Sequence, residues 1–189
     1  MNQIVEFFNS HQVSSIGISC FGPLNLDDTS DDFGKIVNTP KLHWKCFNVI
    51  HFLKSHLNYT PNLWINVDVG CASYFEFKFG GWNVKKNLSL LTCGTGLGIG
   101  SVVNGQPCSG LTHPEGGHQI VMPLPGDEAF EGVCPYHKHC IEGYVTNNSI
   151  AKRAGLSSWD EVSSLPDDHE VWDKVAHYLA IACLNTTFV

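Results

Sequence analysis

Cys134, His137 and Cys140 stand in a C-x2-H-x2-C array, with Pro135 and Tyr136 inside its first gap. A knuckle this tight turns two thiolates and an imidazole toward one point. Soft sulfur joined with nitrogen in a set of four is the preference of Zn²⁺. His118, from a preceding segment, suits the fourth position; His139 is the alternative, with a spacing that fits less well. Four protein ligands leave no place for water, so such an ion would be structural and a zinc hydrolase is disfavoured. Two free thiols beside two surface histidines are the plainer reading. Against it, the knuckle lies in a segment with little apolar material of its own to fold around.

Three further groups have the types and positions for chemistry. Cys93-Gly94-Thr95-Gly96-Leu97-Gly98-Ile99-Gly100 places glycine at every second position at the end of an apolar run. Such backbone can approach a phosphate closely and offer N–H donors. It lacks the Gly-Lys-Ser/Thr of a Walker loop, and Ile99 breaks the dinucleotide fingerprint, so a plain tight β-turn fits the run as well. Asp68 ends a short apolar stretch, the edge of an open α/β sheet where ligands sit. A lone Asp there is more often a turn former or helix N-cap. Glu115, His118 and Glu142 flank the knuckle on both sides, and a metal would gather them around one cavity. Converging carboxylates suit sugar hydroxyls, which need acceptors in fixed directions; solvated loop charge is the competing account.

These groups need elements to hold them. Ile4, Val5, Phe7 and Phe8 put an apolar stripe on a short helix, and Val13 to Phe21 reads as a strand stopped at Gly22-Pro23. Asn25 to Lys41 is a polar loop or small excursion. Phe47 to Leu57 has helical spacing, Leu63 to Val67 is a buried strand delivering Asp68, and Cys71 to Phe79 is the helix after it. Near Gly80-Gly81 a second lobe is expected to begin, giving lobes of residues 1–80 and 81–189. Leu88 to Cys93 and Ile99 to Val103 read as strands, the latter turning at Asn104-Gly105, a hairpin dipeptide. Residues 104–140 are loop held by something other than a core; helices resume at Asn148 to Ala154 and His169 to Leu184. Mixed strands and helices imply an α/β class.

Composition narrows the function. The 189 residues are 43% apolar and 15% charged, which excludes a disordered tail or a coiled coil. A net charge of −7 without a basic stripe argues against a nucleic-acid partner. No run approaches the roughly 18 apolar residues of a membrane span, and no secretory signal opens the chain. Eight cysteines, mostly scattered through apolar stretches, suit a reducing, cytoplasmic compartment.

Together the segments resemble the ROK family of bacterial-type sugar kinases, and within it the fructokinase branch. Gly17 to Pro23 is similar to the GIxxFGP stretch, Asn38 to Trp44 to the TPK-x-x-W segment, and Asp68-Val69-Gly70 through Glu76 to the DVN-…-E element. Gly94 to Gly98 resembles the GTGxG phosphate loop, His113 to His118 the HPExGH motif, and Cys134 to Gly143 the CPYHxxCxEG zinc segment. They fall in family order along nearly the whole chain. The resemblance implies a ribonuclease-H-like, actin/hexokinase-type two-lobed fold with a hexose and ATP in the cleft. It implies Asp68 as the general base, and Glu115, His118 and Glu142 as sugar ligands. It further implies Gly94, Thr95 and Gly96 as the nucleotide cradle, with Mg²⁺ carried by ATP. Structural Zn²⁺ would sit on His118, Cys134, His137 and Cys140, and a homodimer is the common assembly. Gly70 and Ile99 depart from the family's Asn and Gly. The chain is expected to start after the family's N-terminal phosphate hairpin and to stop before its adenosine segment. Fructose would become fructose 6-phosphate; the alternative is a non-catalytic, zinc-stabilised sugar-binding module.

Overall fold

Alternating apolar residues make the first strand. In the computed structural model, which describes residues 1–39, 41–83, 86–109 and 112–187, β1 (Ser15–Cys20) pairs in parallel with β2 (Asn62–Val67). The register runs from Ser15 opposite Asn62 to Cys20 opposite Val67. Parallel neighbours require a crossover, and it carries α2 (Val49–His56). Asn48 caps that helix, its side-chain oxygen accepting the His51 N–H at 2.8 Å. α2 buries Val49, Ile50 and Leu53 against Leu24, Ile36, Ile65, Val67 and Val69. The stretch expected as a polar loop is therefore tied down at its ends: Leu24 and Ile36 are fully buried and bridge one another. Pro40, in the Asn38 to Trp44 segment, lies outside the described residues.

Helix α1 (Asn2–Ser10) forms as its spacing predicts, but none of its residues is fully buried. Met1 and Val5 reach the core, whereas Ile4 and Phe7 face outward. The stripe is wider than the contact available to it.

Helix α3 (Asp68–Phe79) follows β2 without a loop and begins three residues before the expected Cys71. Asp68 thus occupies the first turn of the helix, with Val67 as the extended residue that caps it. The helix then lies across an antiparallel sheet of β3 (Leu88–Cys93), β4 (Leu97–Val103) and the short β5 (Gln106–Pro107). Strand β4 starts at Leu97 rather than Ile99 because Gly98 and Gly100 are strand residues that let α3 approach. A Cβ on Gly98 would stand 2.8 Å from Thr92 Oγ1 and 3.4 Å from Val69 Cβ; one on Gly100 would run into the Val69 carbonyl. Asn104 and Gly105 both have positive φ, 53° and 79°, in the two-residue turn their sequence predicts.

α4 (Ile141–Val145), α5 (Asn147–Arg153) and α6 (Val171–Thr187) enclose a second core with Leu97 and Ile99. Tyr144 and Tyr178 are fully buried there and stack at 4.3 Å and 7°. Among the described residues from 112 to 140, regular structure is limited to a 3-10 turn, Gly116–His118, and isolated bridges. No helix among the described residues is long and apolar enough to cross a membrane, and all eight cysteines are free thiols.

Candidate functional site

The 3-10 turn carries His118 into place. Gly117 within it packs so closely on β4 that a Cβ would collide with the Leu97 carbonyl. The Cys134 to Cys140 knuckle reverses direction through Lys138, whose φ is 50°, and the Lys138 N–H donates to the Cys134 carbonyl at 3.2 Å. One donor atom from each of His118, Cys134, His137 and Cys140 falls within 4.8 Å of all the others. Cys134 Sγ is 3.8 Å from His118 Nδ1 and 3.9 Å from His137 Nδ1, and Cys140 Sγ is 3.6 Å from His118 Nδ1. Tetrahedral zinc bonds of about 2.3 Å to sulfur and about 2.05 Å to nitrogen set S···N separations of roughly 3.5 Å. The donor set fits the ion in both chemistry and spacing.

Burial pushes the Cys140 thiol up to about 12, and the neighbouring Cys134 adds to the rise while the Gly143 N–H opposes it. Thiols in such surroundings become ligands when a cation supplies the charge that displaces their protons. His139 is outside the cluster; its Nδ1 instead meets the Tyr144 hydroxyl.

A cavity of about 600 Å³ opens between the end of β2 and the β3–β4 turn. Asp68, Gly94, Thr95, Gly96, Glu142 and Lys41 are among its walls. Asp68 reaches it from the first turn of α3, with one carboxylate oxygen accepting the Val69 N–H at 2.8 Å. The three residues Gly94, Thr95 and Gly96 are the whole connection between β3 and β4. The Gly94 N–H donates to the Gly96 carbonyl at 2.9 Å, and Asn147 N–H at the start of α5 donates to the Gly94 carbonyl at 2.9 Å. The alternating glycines therefore divide their work unevenly: Gly94 and Gly96 line the cavity, Gly98 both lines it and packs on Val69 of α3, and Gly100 admits the helix.

Glu142 joins the cavity to the cysteine–histidine cluster. Its Oε2 accepts the Leu97 N–H at 3.0 Å, while Oε1 lies 3.8 Å from His118 Nδ1. One carboxylate oxygen is thus engaged with the loop rather than free for a ligand. Glu115 is not a wall of the cavity, but its Oε1 comes within 3.6 Å of where a Cβ on Gly22 would stand, and Gly22 is a wall. His113 is buried, which pulls its pKa down, and the carboxylates of Glu115 and Asp68 oppose that fall. These three groups therefore share one electrostatic neighbourhood. His118, Cys134, His137 and Cys140 stand behind Glu142, outside the cavity wall.

Neither His113 nor Lys41 has a spacing of its own that marks it; position inside the His113 to His118 and Asn38 to Trp44 motifs is their only signal in the sequence.

The chain is similar to two curated fructokinases. That of Lactococcus lactis subsp. cremoris is 36% identical over 187 residues, covering 99% of this chain and 61% of the relative. That of Pediococcus pentosaceus is 36% identical over 187 residues, covering 99% of this chain and 62% of the relative. The chain thus spans about three fifths of their length. Among solved structures, the ROK hexokinase from Thermus thermophilus superposes with a TM-score of 0.69 at 19% identity, over 97% of this chain and 64% of that one. A ROK glucokinase from Streptomyces griseus, solved with glucose and AMPPNP, gives 0.59 at 18% identity, over 97% and 60%. The fold is accordingly the actin/hexokinase type that the motifs imply. The ROK family model matches residues 1–187, nearly end to end, and this chain belongs to the ROK family.

Proposed function

We propose that this chain carries the sugar site, the phosphate loop and the metal-held loop of an ATP-dependent hexose kinase, with fructose as the hexose and fructose 6-phosphate as the product. The observation that supports it most is the placing of Asp68 and the Gly94 to Gly96 turn on one cavity. Phosphoryl transfer asks for a proton acceptor at the attacking hydroxyl and for donors around the phosphates, and little covalent chemistry beyond that. Asp68 takes the proton from the sugar hydroxyl as it attacks the γ-phosphate. Gly94, Thr95 and Gly96 cradle the phosphates of ATP, which brings its own Mg²⁺. The free edge of Glu142 holds a sugar hydroxyl at the cavity wall, and Glu115, beside Gly22, and His118, behind Glu142, complete the sugar site next to it.

His118, Cys134, His137 and Cys140 would hold a structural Zn²⁺, whose contribution is to fix the loop that bears Glu115 and Glu142. Similarity at 36% identity to two fructokinases supports fructose as the hexose. Residues 1–80 and 81–189 serve as the two lobes facing the cleft, in a cytoplasmic protein. The test is Asp68→Asn. Fructose phosphorylation should fall by at least about 100-fold while fructose affinity, read by calorimetry, stays within about threefold. Turnover within about tenfold of the unaltered protein would remove Asp68 from the role of base.

A further inference from the structure

We propose that Lys41 is the cation that faces the γ-phosphoryl group while it passes from ATP to the sugar hydroxyl, forming no bond to it, and that it binds the phosphate of the product. This assignment rests on the kinase reading above. Among the described walls of the cavity that also holds Asp68 and the Gly94 to Gly96 turn, Lys41 is the one basic side chain. It is also held rather than loose. Its ammonium lies 3.6 Å from the centroid of the Phe21 ring, within the range of a cation–π contact. Trp44 meets Phe21 edge-on at 5.7 Å and 88°, and Phe47 meets Trp44 at 5.5 Å and 90°. The buried Thr39 hydroxyl accepts the Lys41 N–H at 3.3 Å, fixing the backbone as well.

The charge is uncommitted. Among the described residues no carboxylate stands within ion-pair distance of Lys41; the same holds for Lys45, Lys54, Lys78 and Lys152, and what sets Lys41 apart is its place on the cavity wall. Asp68 is nonetheless near. Burial pushes the Cys20 thiol up, Asp68 adds to the rise and Lys41 opposes it, so both charges act on one sulfur.

The glycine turn cannot supply this charge itself. It has no basic side chain, and its Gly94 N–H is already spent on Gly96, as is the N–H of the next residue, Leu97, on Glu142. Charge that spreads over the phosphoryl oxygens during transfer needs a fixed cation facing it. Lys41 lines the same cavity as that turn's neutral donors. A neutral hexose gives no reason to hold an unpaired ammonium there, and a phosphate does.

The test compares fructose with fructose 6-phosphate on the 189-residue chain by calorimetry at low salt, for the unaltered protein, Lys41→Met and Lys41→Arg. Methionine keeps the stem over Phe21 and removes only the charge. The unaltered chain should bind the phosphorylated sugar more tightly, and Lys41→Met should lose about ten- to a hundredfold of that affinity, the range of a charge-assisted hydrogen bond. Fructose affinity should not move, and Lys41→Arg should recover most of the loss. A phosphate preference that survives in Lys41→Met overturns the assignment. Equal losses for both sugars also overturn it, since they would mark Lys41 as a packing residue. If the unaltered chain binds neither sugar, the kinase reading falls and this assignment falls with it.

Discussion

Asp127 is the place where the second core depends most on a single side chain. It is 4% exposed, pairs with the 5% exposed Arg153 guanidinium, and accepts the Tyr178 hydroxyl at 2.7 Å. The same hydroxyl accepts the Leu124 N–H at 2.9 Å, so the network ties the irregular segment to α5 and α6. Arg153 leans on the Phe130 ring at 3.7 Å, but its Nε and one terminal nitrogen find no partner among the described residues. Asp127→Ala therefore strands a buried cation, and breaking a buried pair from one side costs about 3–5 kcal/mol. At about 2–4 °C per kcal/mol for a chain of this size, the melting midpoint should fall by about 6–20 °C in a circular dichroism melt. Adding Arg153→Met to that variant should restore more than half of the loss, because no charge is then stranded. The pH dependence has a definite direction. Burial works to raise the Asp127 carboxyl, but the hydrogen bonds from Arg153 and Tyr178 outweigh it and hold the carboxyl below its ordinary range. A folded value below the unfolded one, near 3.9, stabilises above about pH 4 and ceases to as pH drops through the folded value. The gap in midpoint between the unaltered chain and Asp127→Asn should thus be flat from about pH 5 to 7 and shrink below about pH 4. A midpoint within about 2 °C of the unaltered chain for Asp127→Ala would refute the network's role.

Two other perturbations are equally direct. Gly100→Ala should lower stability by about 1–3 kcal/mol, because its methyl meets the Val69 backbone, which cannot move aside as a side chain can. Gly17→Ala, in open space, is the matched control and should be close to neutral in the same urea titration. Chelator treatment should lower the melting midpoint by at least about 5 °C, and elemental analysis should return one zinc per chain, lost in Cys140→Ser. A chain that melts unchanged after complete metal removal would mean the knuckle is held by its own backbone bridges.

Much of this was legible in the residues because the informative features are local. The C-x2-H-x2-C spacing fixes three ligands within one reversal, and Asn104-Gly105 announces a turn by its backbone demands. What escaped was non-local. Glycine alternation from Gly94 to Gly100 looks like one phosphate device, yet contact with Val69 on α3 sets Gly98 and Gly100 apart as the two that admit a helix, Gly98 while still lining the cavity. The start of α3 at Asp68 escaped for a related reason: Asp-Val-Gly reads as a turn, and the packing of Val69 and Gly70 against β2 and β4 overrides that preference. Lys41 and His113 carried no pattern of their own, since a lysine or a histidine gains meaning only from what the fold sets beside it.

Glu142 is where the cysteine–histidine cluster and the glycine turn become one structure. It follows the last cysteine of the knuckle by two residues, so the start of α4 at Ile141 places it beside the cluster whatever the rest of the chain does. From there one oxygen accepts the Leu97 N–H at the end of the glycine turn, while the other lies 3.8 Å from the His118 imidazole. Gly117 adds a second tie, packed on the Leu97 carbonyl of the same residue. Both polar groups of the Leu97 backbone are thereby in contact with the loops that the cysteines and histidines gather. Order imposed on those loops is transmitted to the turn over a single residue, without a metal ion having to stand in the cavity at all. An ion held by the cluster would thus act on the glycine turn through rigidity alone.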